Sequence, residues 1–263
     1  MLKTTQYKFL SMPLWRKILF FTAILTFVYI DVKLNKGFNL TLLEFIVMHF
    51  NDPKTIDYFY LMLMMIISAD IYNGAQNPYE DMIVLKVGGK KKWFIKICIY
   101  TVLVSYGIIC IYLVLTYIIG FLGGFSGVFL NSQFAELYGL SKFQIIGQII
   151  LLSGLRILFL NMLIMCINLV CMNNPMGFIA VFMISMVDMF AYETFDIMEP
   201  WGILPLEHTR IIYTEAVAPP IDRFVRFPMG YSVLYWLIGI LIVTVISYLI
   251  VLRKDFFTKC VKY

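Results

Sequence analysis

The sequence predicts an all-α, polytopic membrane protein with about six transmembrane helices, folded as a single transmembrane domain over residues 1–263. Three observations predict this class: the composition, the long uncharged stretches and the placement of the basic residues. Hydrophobic residues make up 61% of the chain and charged residues only 14%, whereas an ordinary soluble domain carries about 25% charged residues. A soluble chain needs polar groups over much of its surface, and a bilayer removes that requirement.

Six stretches are candidates for the membrane spans. Crossing about 30 Å of hydrocarbon takes about 20 helical residues. Four stretches meet that length: Ile97–Leu122, Ile145–Val170, Pro175–Tyr192 and Tyr231–Leu252. Two are weaker, because Ile18–Ile30 has 13 residues and Tyr58–Ile71 is interrupted by Asp70.

The basic residues require both weaker stretches to be spans. Three clusters, at residues 3–17, 86–96 and 253–262, hold 13 of the 21 Lys and Arg residues. The positive-inside rule places all three in the cytoplasm, so an even number of spans separates each pair. Both termini are then cytoplasmic at the plasma membrane. The frequent Lys, Ile and Tyr residues are typical of an A+T-rich bacterial genome.

This topology leaves three outer loops, at about 31–57, 123–142 and 193–230, which hold eleven of the 16 acidic residues. The last loop carries five prolines together with Trp201 and several aliphatic residues. Such a loop is too apolar to lie in water. We expect it to be partly re-entrant, because non-helical backbone at membrane depth is tolerated only where protein buries it or where it lines a cavity.

A cytoplasmic segment before the third span has its own pattern. It begins with acidic residues, where a helix dipole favours negative charge, continues with an apolar side and ends at two glycines that suit a helix stop. The lysines and Trp93 that follow mark the membrane surface. The pattern indicates a short amphipathic helix; a plain positive-inside loop would explain the lysines but neither the apolar stretch nor its acidic start. The residues are Glu80, Asp81, Met82, Ile83, Leu85, Gly88, Gly89 and Lys90–Lys92.

Segment 79–92 resembles the coupling helix of six-helix ABC exporter permeases of the type-2 exporter kind, whose ATPase is often a separate chain. Residues 1–17 resemble the amphipathic helix that precedes the first span in that family, and 193–230 resembles its re-entrant helices before the last span. The resemblance implies that Glu80 to Gly89 contact an ABC ATPase, and that a second permease copy or homologue completes the transporter. It also implies export of an apolar or amphipathic cargo, such as a peptide toxin, a bacteriocin or another antimicrobial peptide, or a lipid.

This chain itself is not expected to be an enzyme. A phosphate-binding G-x-x-x-x-G-K loop ending at Gly89-Lys90 would need glycine at position 84, where Val84 stands. ATP and Mg would therefore be held by the partner ATPase, and the chain itself would carry no cofactor. The net charge of +5 is modest and does not indicate nucleic-acid binding, and the five cysteines lack the spacing of a metal site or a disulfide framework.

Charged side chains inside the spans are expensive and functional by default. They are Asp70, Arg156 and Asp188. Arg156 and Asp188 lie on consecutive antiparallel spans, so we expect a structural ion pair, with a substrate pathway as the alternative. Asn161 and Asn168 are interpreted as groups that form hydrogen bonds between helices.

Two other classes of function stay open. Gly124–Gly127 spells G-x-S-G, which resembles the motif of rhomboid proteases, but His49 and His208 both fall in the expected outer loops, and a dyad needs a histidine within hydrogen-bond reach. We expect instead that the pairs Gly120/Gly124 and Gly123/Gly127 permit close helix packing. The other class is a membrane sensor or immunity protein without an ATPase.

Overall fold

The computed structural model describes residues 14–37, 40–52, 55, 59–60, 62–63, 88–125, 141–171, 174–195, 208–209 and 228–253. In this part of the chain all regular structure is helical, which agrees with the predicted all-α class. Its six α-helices are α1 (Leu14–Asn35), α2 (Leu42–Asn51), α3 (Lys90–Leu122), α4 (Lys142–Cys171), α5 (Asn174–Phe195) and α6 (Met229–Arg253).

Four of these helices have the length and apolar composition to cross a membrane: α1, α3, most of α4, and α6. Helix α2 and the Met176–Asp188 part of α5 are shorter apolar helices. The described chain is therefore a helical membrane protein with four candidate spans, and the six-span topology stays a prediction. The second expected span, Tyr58–Ile71, lies almost wholly outside the described residues.

Helix α1 extends beyond the predicted first span at both ends. It has 22 residues and includes Asp31, so the prediction that the first outer loop begins at Asp31 is wrong. The amide of Asn35 donates to both the backbone oxygen and Oδ1 of Asp31, each at 2.9 Å, which satisfies one oxygen of this carboxylate within the helix. Residues 14–17 of the expected amphipathic segment form the first turn of α1, and 1–13 lie outside the described residues.

Residues 42–51 of the expected first outer loop form a buried helix, α2. A capping box starts it: Thr41 Oγ1 accepts from Glu44 N at 3.3 Å, and Thr41 N donates to Glu44 Oε2 at 2.6 Å. Leu42 and Phe45 pack so closely on Gly120 of α3 that a Cβ there would lie 2.7 Å from Leu42. The prediction of a loop is therefore wrong at 42–51.

Glycines define both ends of α3. Gly88 and Gly89, with φ of 90° and 106°, form the turn before Lys90. At the other end, Phe125 N donates to Gly120 O and Gly124 N to Phe121 O, each at 3.2 Å, while Gly124 has φ of 98°. This is a Schellman motif. Gly124 thus lies beyond the helix, and the expected Gly120/Gly124 packing pair is wrong.

The contacts between helices fix their relative directions. Val32, near the end of α1, packs on Gly123 at the end of α3. Phe27, which comes earlier in α1, stacks on Phe59, and Phe59 contacts Tyr112, which comes earlier in α3. Later residues of α1 thus contact later residues of α3, so the two helices run parallel. Along α6, Tyr248 packs on Phe94 with ring centroids 5.5 Å apart, and Lys90 Nζ donates to Leu252 O at 3.3 Å, so α6 is antiparallel to α3. The basic beginnings of α1 and α3 and the basic end of α6 therefore share one end of the bundle, which we call the basic end.

Helix α4 occupies the centre of the bundle. Over the most apolar 18 residues of α4, 78% of the residues are buried, against 17–28% over the corresponding 18-residue stretches of α1, α3 and α6. Tyr106 of α3 packs on Gly154, Trp236 of α6 packs on Phe159, and Asn168 contacts Gly177 of α5. Because its neighbours cover it, α4 can carry polar side chains that a lipid-facing helix could not.

Candidate functional site in the bundle interior

A buried ion pair joins α4 to α5. Arg156 Nη2 lies 3.2 Å from Asp188 Oδ2, and the two residues are 1% and 5% exposed. The structure thus brings together the two charges that the sequence analysis expected to pair. Each ion loses most of its hydration at this depth, so the attraction between them mainly offsets the cost of burying them.

The guanidinium of Arg156 also contacts two further elements. Its Nη1 donates to Thr209 Oγ1 at 3.3 Å, and its Cζ lies 5.7 Å from the centroid of the Trp236 ring on α6. We call Arg156, Asp188, Thr209 and Trp236 the Arg156 cluster. It connects α4, α5, α6 and the chain at 208–209, so a shift of any one of these elements changes the surroundings of a buried charge.

Next to this cluster lies a buried hydroxyl–imidazole pair. His208 Nδ1 lies 3.1 Å from Ser232 Oγ in the first turn of α6. The His208 ring stacks on Tyr235 with centroids 4.1 Å apart, and Trp236 Nε1 donates to His208 O at 3.3 Å. His208 is fully buried, which shows that this position in the expected outer segment 193–230 packs inside the bundle.

A separate buried polar group lies where α1, α2 and α3 meet. His49 of α2 bonds through both ring nitrogens: Nδ1 lies 2.5 Å from Asp31 Oδ2 of α1, and Nε2 pairs with the Tyr112 hydroxyl of α3. We call Asp31, His49 and Tyr112 the His49 triad. The prediction that His49 lies in an exposed outer loop is wrong, because three helices bury it.

Aromatic rings surround the His49 triad. Phe27, Phe45 and Phe50 have their ring centroids 5.6–5.7 Å from that of His49. Tyr60 is fully buried and lies between the two polar groups: its ring is 6.1 Å from that of Tyr112, and its hydroxyl lies near Ser153 and Arg156 of α4. The interior therefore contains two polar groups with one tyrosine between them.

The two expected interhelical asparagines both bond to another helix. Asn161 Nδ2 donates to Ser105 Oγ of α3 at 2.9 Å, and Asn168 Oδ1 accepts from Gly177 N of α5 at 2.9 Å.

Of the expected coupling residues, Gly88 and Gly89 form the turn before α3. The other expected coupling residues lie outside the described residues, and so does Asp70, which was expected inside a span. These coupling residues are Glu80, Asp81, Met82, Ile83 and Leu85.

Sequence analysis missed the His49 triad and Ser232. One local signal was present: Thr41 and Glu44 have the spacing of a capping box just before an apolar run, and that box indicates a helix carrying His49. No comparable signal indicated Ser232, since a serine in the first turn of an apolar helix is common.

Within the described residues, no group of three or more His, Cys, Asp or Glu side chains could hold a metal ion.

Comparison of the chain with models of known protein families, with curated proteins and with solved structures finds no match. The class of the protein therefore follows from its own structure. Apolar helices enclose hydrogen-bonded charges on a central helix, and this arrangement defines a helical membrane protein with a polar interior.

Proposed function

We propose that this chain is the membrane-spanning permease subunit of an ATP-driven ABC exporter at a bacterial plasma membrane. It would cross the membrane six times with both termini cytoplasmic, and it would pair with a second copy or a homologue. ABC ATPase subunits would supply ATP hydrolysis, with ATP and Mg bound there. The cargo would be apolar or amphipathic, such as a membrane-active peptide, a bacteriocin or a lipid.

The observation that carries the proposal is the basic end of the bundle. Lys17 of α1, Lys90–Lys92 of α3 and Arg253 of α6 all belong to helix ends that meet there. Positive charge at one end supports a cytoplasmic location for that end. Segment 79–87, which resembles a coupling helix, joins α3 at this same end, where an ATPase would dock.

The turn between that segment and α3 also supports the proposal. Gly88 and Gly89 both have positive φ, a conformation that residues with a Cβ rarely adopt. Only this two-residue turn separates the segment from Lys90, so a push on the segment would reach α3 through the backbone. Helix α3 contacts α1, α2, α4 and α6, so its displacement would reach the polar interior around Arg156.

The test is whether an ABC ATPase co-purifies with this chain from native membranes. The variant Ile83→Asp/Leu85→Asp puts two charges on the apolar side of segment 79–89. Desolvating them in a docked interface would cost several kcal/mol, so we expect the ATPase to be lost while the variant still inserts. The matched control, Leu137→Asp/Leu140→Asp, makes the same changes in the expected outer loop 123–142 and should keep the ATPase.

Full ATPase binding by the Ile83/Leu85 variant in a folded membrane fraction would contradict the coupling role. Failure of any ATPase to co-purify with the wild-type chain would favour a sensor or immunity protein instead.

The His208–Ser232 pair favours a second candidate, an intramembrane serine hydrolase. In that chemistry Ser232 Oγ attacks the carbonyl carbon of an ester or amide while His208 Nδ1 takes its proton. The imidazolium then gives the proton to the leaving group, and water hydrolyses the acyl-enzyme. The contact of 3.1 Å has the required reach. Both groups are buried, however, and for this reason we rank the hydrolase second.

A fluorophosphonate probe tests this candidate, because it phosphonylates only an activated serine. A hydrolase would label in the wild-type chain and not in Ser232→Ala. Ser247→Ala removes another buried serine of α6 and should label like the wild type. No labelling of the wild type in native membranes would remove the candidate.

A further inference from the structure

We propose that the His49 triad is a proton-binding site, and that its occupancy sets the direction of the Tyr112 hydroxyl bond inside the bundle. The inference goes beyond the proposed exporter function and does not depend on an ATPase. It rests on three side chains from three helices that form one continuous chain of hydrogen bonds.

The geometry gives the site an entrance and a closed end. The side chain of Asp31 is 18% exposed, whereas the His49 side chain is fully buried and Tyr112 is completely covered. The Asp31 carboxylate is therefore the open end of the site, from which a proton would reach His49 across a contact of 2.5 Å. On its other sides the His49 imidazole is surrounded by the rings of Phe27, Phe45 and Phe50.

The two protonation states of His49 differ in the role of Tyr112. In neutral His49, Nδ1–H donates to Asp31, and Nε2 accepts the Tyr112 O–H. After uptake of one proton, both ring nitrogens donate, and Tyr112 becomes the acceptor at Nε2. The Tyr112 O–H must then turn to another acceptor, since a buried hydroxyl left without one is costly.

The ionisable groups facing the site come from each element packed on it. Helix α1 supplies Asp31, and α3 supplies Tyr112. Asp52 is the C-cap residue of α2. Both Asp52 and Tyr60 lie close enough to Tyr112 to interact electrostatically with its hydroxyl. Asp31 in direct contact offsets the charge that an imidazolium would otherwise bury among aromatic rings.

The redirected hydroxyl bond connects the triad to the rest of the interior. The Thr55 side chain is buried close to Tyr112, and its Oγ1 is without a hydrogen-bond partner among the described residues, so it can accept the redirected bond. Tyr60 in turn lies near Ser153 and Arg156. Proton uptake by His49 therefore changes the hydrogen bonding of Tyr112 next to Thr55 and Tyr60, and Tyr60 lies between the triad and the Arg156 cluster.

Nitrogen NMR of ¹⁵N-histidine in the purified full chain, reconstituted in lipid nanodiscs, tests the site. The chain has only two histidines, so His49→Gln assigns the signals by loss. If that variant fails to fold, His208→Gln assigns them by retention. Spectra are recorded from about pH 8 to about pH 5, and within this series the proposal requires the His49 nitrogens to change from a neutral ring to an imidazolium.

Two measurements separate a relay from a structural hydrogen bond. The infrared C–O stretch of Tyr112, assigned by Tyr112→Phe, should change from donor to acceptor character at the same pH as the His49 signals. Asp31→Asn should lower the imidazolium fraction at about pH 6 by about fivefold or more, since it removes the opposing charge. Thr116→Val, which removes a buried hydroxyl one turn along α3, should leave both signals as in the wild type.

Histidine signals that stay constant over this range in the wild-type chain would overturn the proposal. A Tyr112 band that does not follow His49 would also overturn it. Neither result bears on ATPase binding, so this inference and the exporter proposal can fail separately.

Discussion

The ion pair between Arg156 and Asp188 allows the stability of the bundle to be tested with a double-mutant cycle. The variants are Arg156→Leu, Asp188→Asn and the combination of both. Each single variant leaves the other charge in a site where the two residues are only 1% and 5% exposed. Breaking a buried pair in this way costs about 3–5 kcal/mol.

The double variant should be far more stable than the sum of the singles predicts. It leaves no buried charge, so its cost reduces to the other contacts of Arg156. The bond from Arg156 to Thr209 is worth about 1.5–3 kcal/mol, as a hydrogen bond from a charged donor. The contact with Trp236 is worth about 0.5–2 kcal/mol. We therefore expect the double variant to lose about 2–5 kcal/mol, against about 6–10 kcal/mol for additive singles.

The free energy of unfolding can be measured by titrating SDS into mixed micelles and following the folded fraction. A variant too unstable to purify can be scored by its folded yield, in which the double variant should exceed both singles. Additivity within about 0.5 kcal/mol is what independent sites give. That result would refute the argument that the two charges neutralise each other in the fold.

Two further predictions follow from the packing and the topology. Gly177→Ala should destabilise the bundle by about 1–3 kcal/mol, because its Cβ would lie 2.7 Å from Ile164 O. The control Gly147→Ala should be neutral, because a Cβ there meets nothing within 4 Å. Equal stability of the two variants would contradict the close packing of α4 and α5. In a cysteine-free background, a cysteine at position 91 should react with an impermeant maleimide only after the cells are opened, and one at position 137 should react in intact cells. Labelling at position 91 in intact cells would reverse the proposed orientation.

The helical class and the long helices were predictable because hydrophobicity over 20 or more residues is a strong signal. The pairing of Arg156 with Asp188 was predictable as well, since charges on consecutive antiparallel spans have few other partners. The extent of α1 was not, because Asp31 interrupts the apolar run. Only the fold shows that His49, 18 residues further on, bonds to the Asp31 carboxylate and so stabilises it at that position.

The His49 triad could not be predicted for a related reason. Its members come from α1, α2 and α3, and Tyr112 lies 63 residues from His49. No local pattern encodes a contact over that separation. The apolar run at 42–51 was too short for a span, so the charge rule assigned it to a loop, although its capping box indicated a helix.

The central position of α4 has a consequence for how the protein enters its membrane. During synthesis α4 precedes the helix that neutralises it, and an arginine at the middle of an isolated span raises the insertion free energy by about 2.5–3.5 kcal/mol. Helices α4 and α5 are joined by a short connection and pair through Arg156 and Asp188. A hairpin of the two would enter the lipid with its charges already matched, so the order of insertion is set by the same contact that holds the finished bundle together. Chains truncated between α4 and α5 should therefore stay in the translocation machinery, whereas chains that extend past Asp188 should leave it for the lipid.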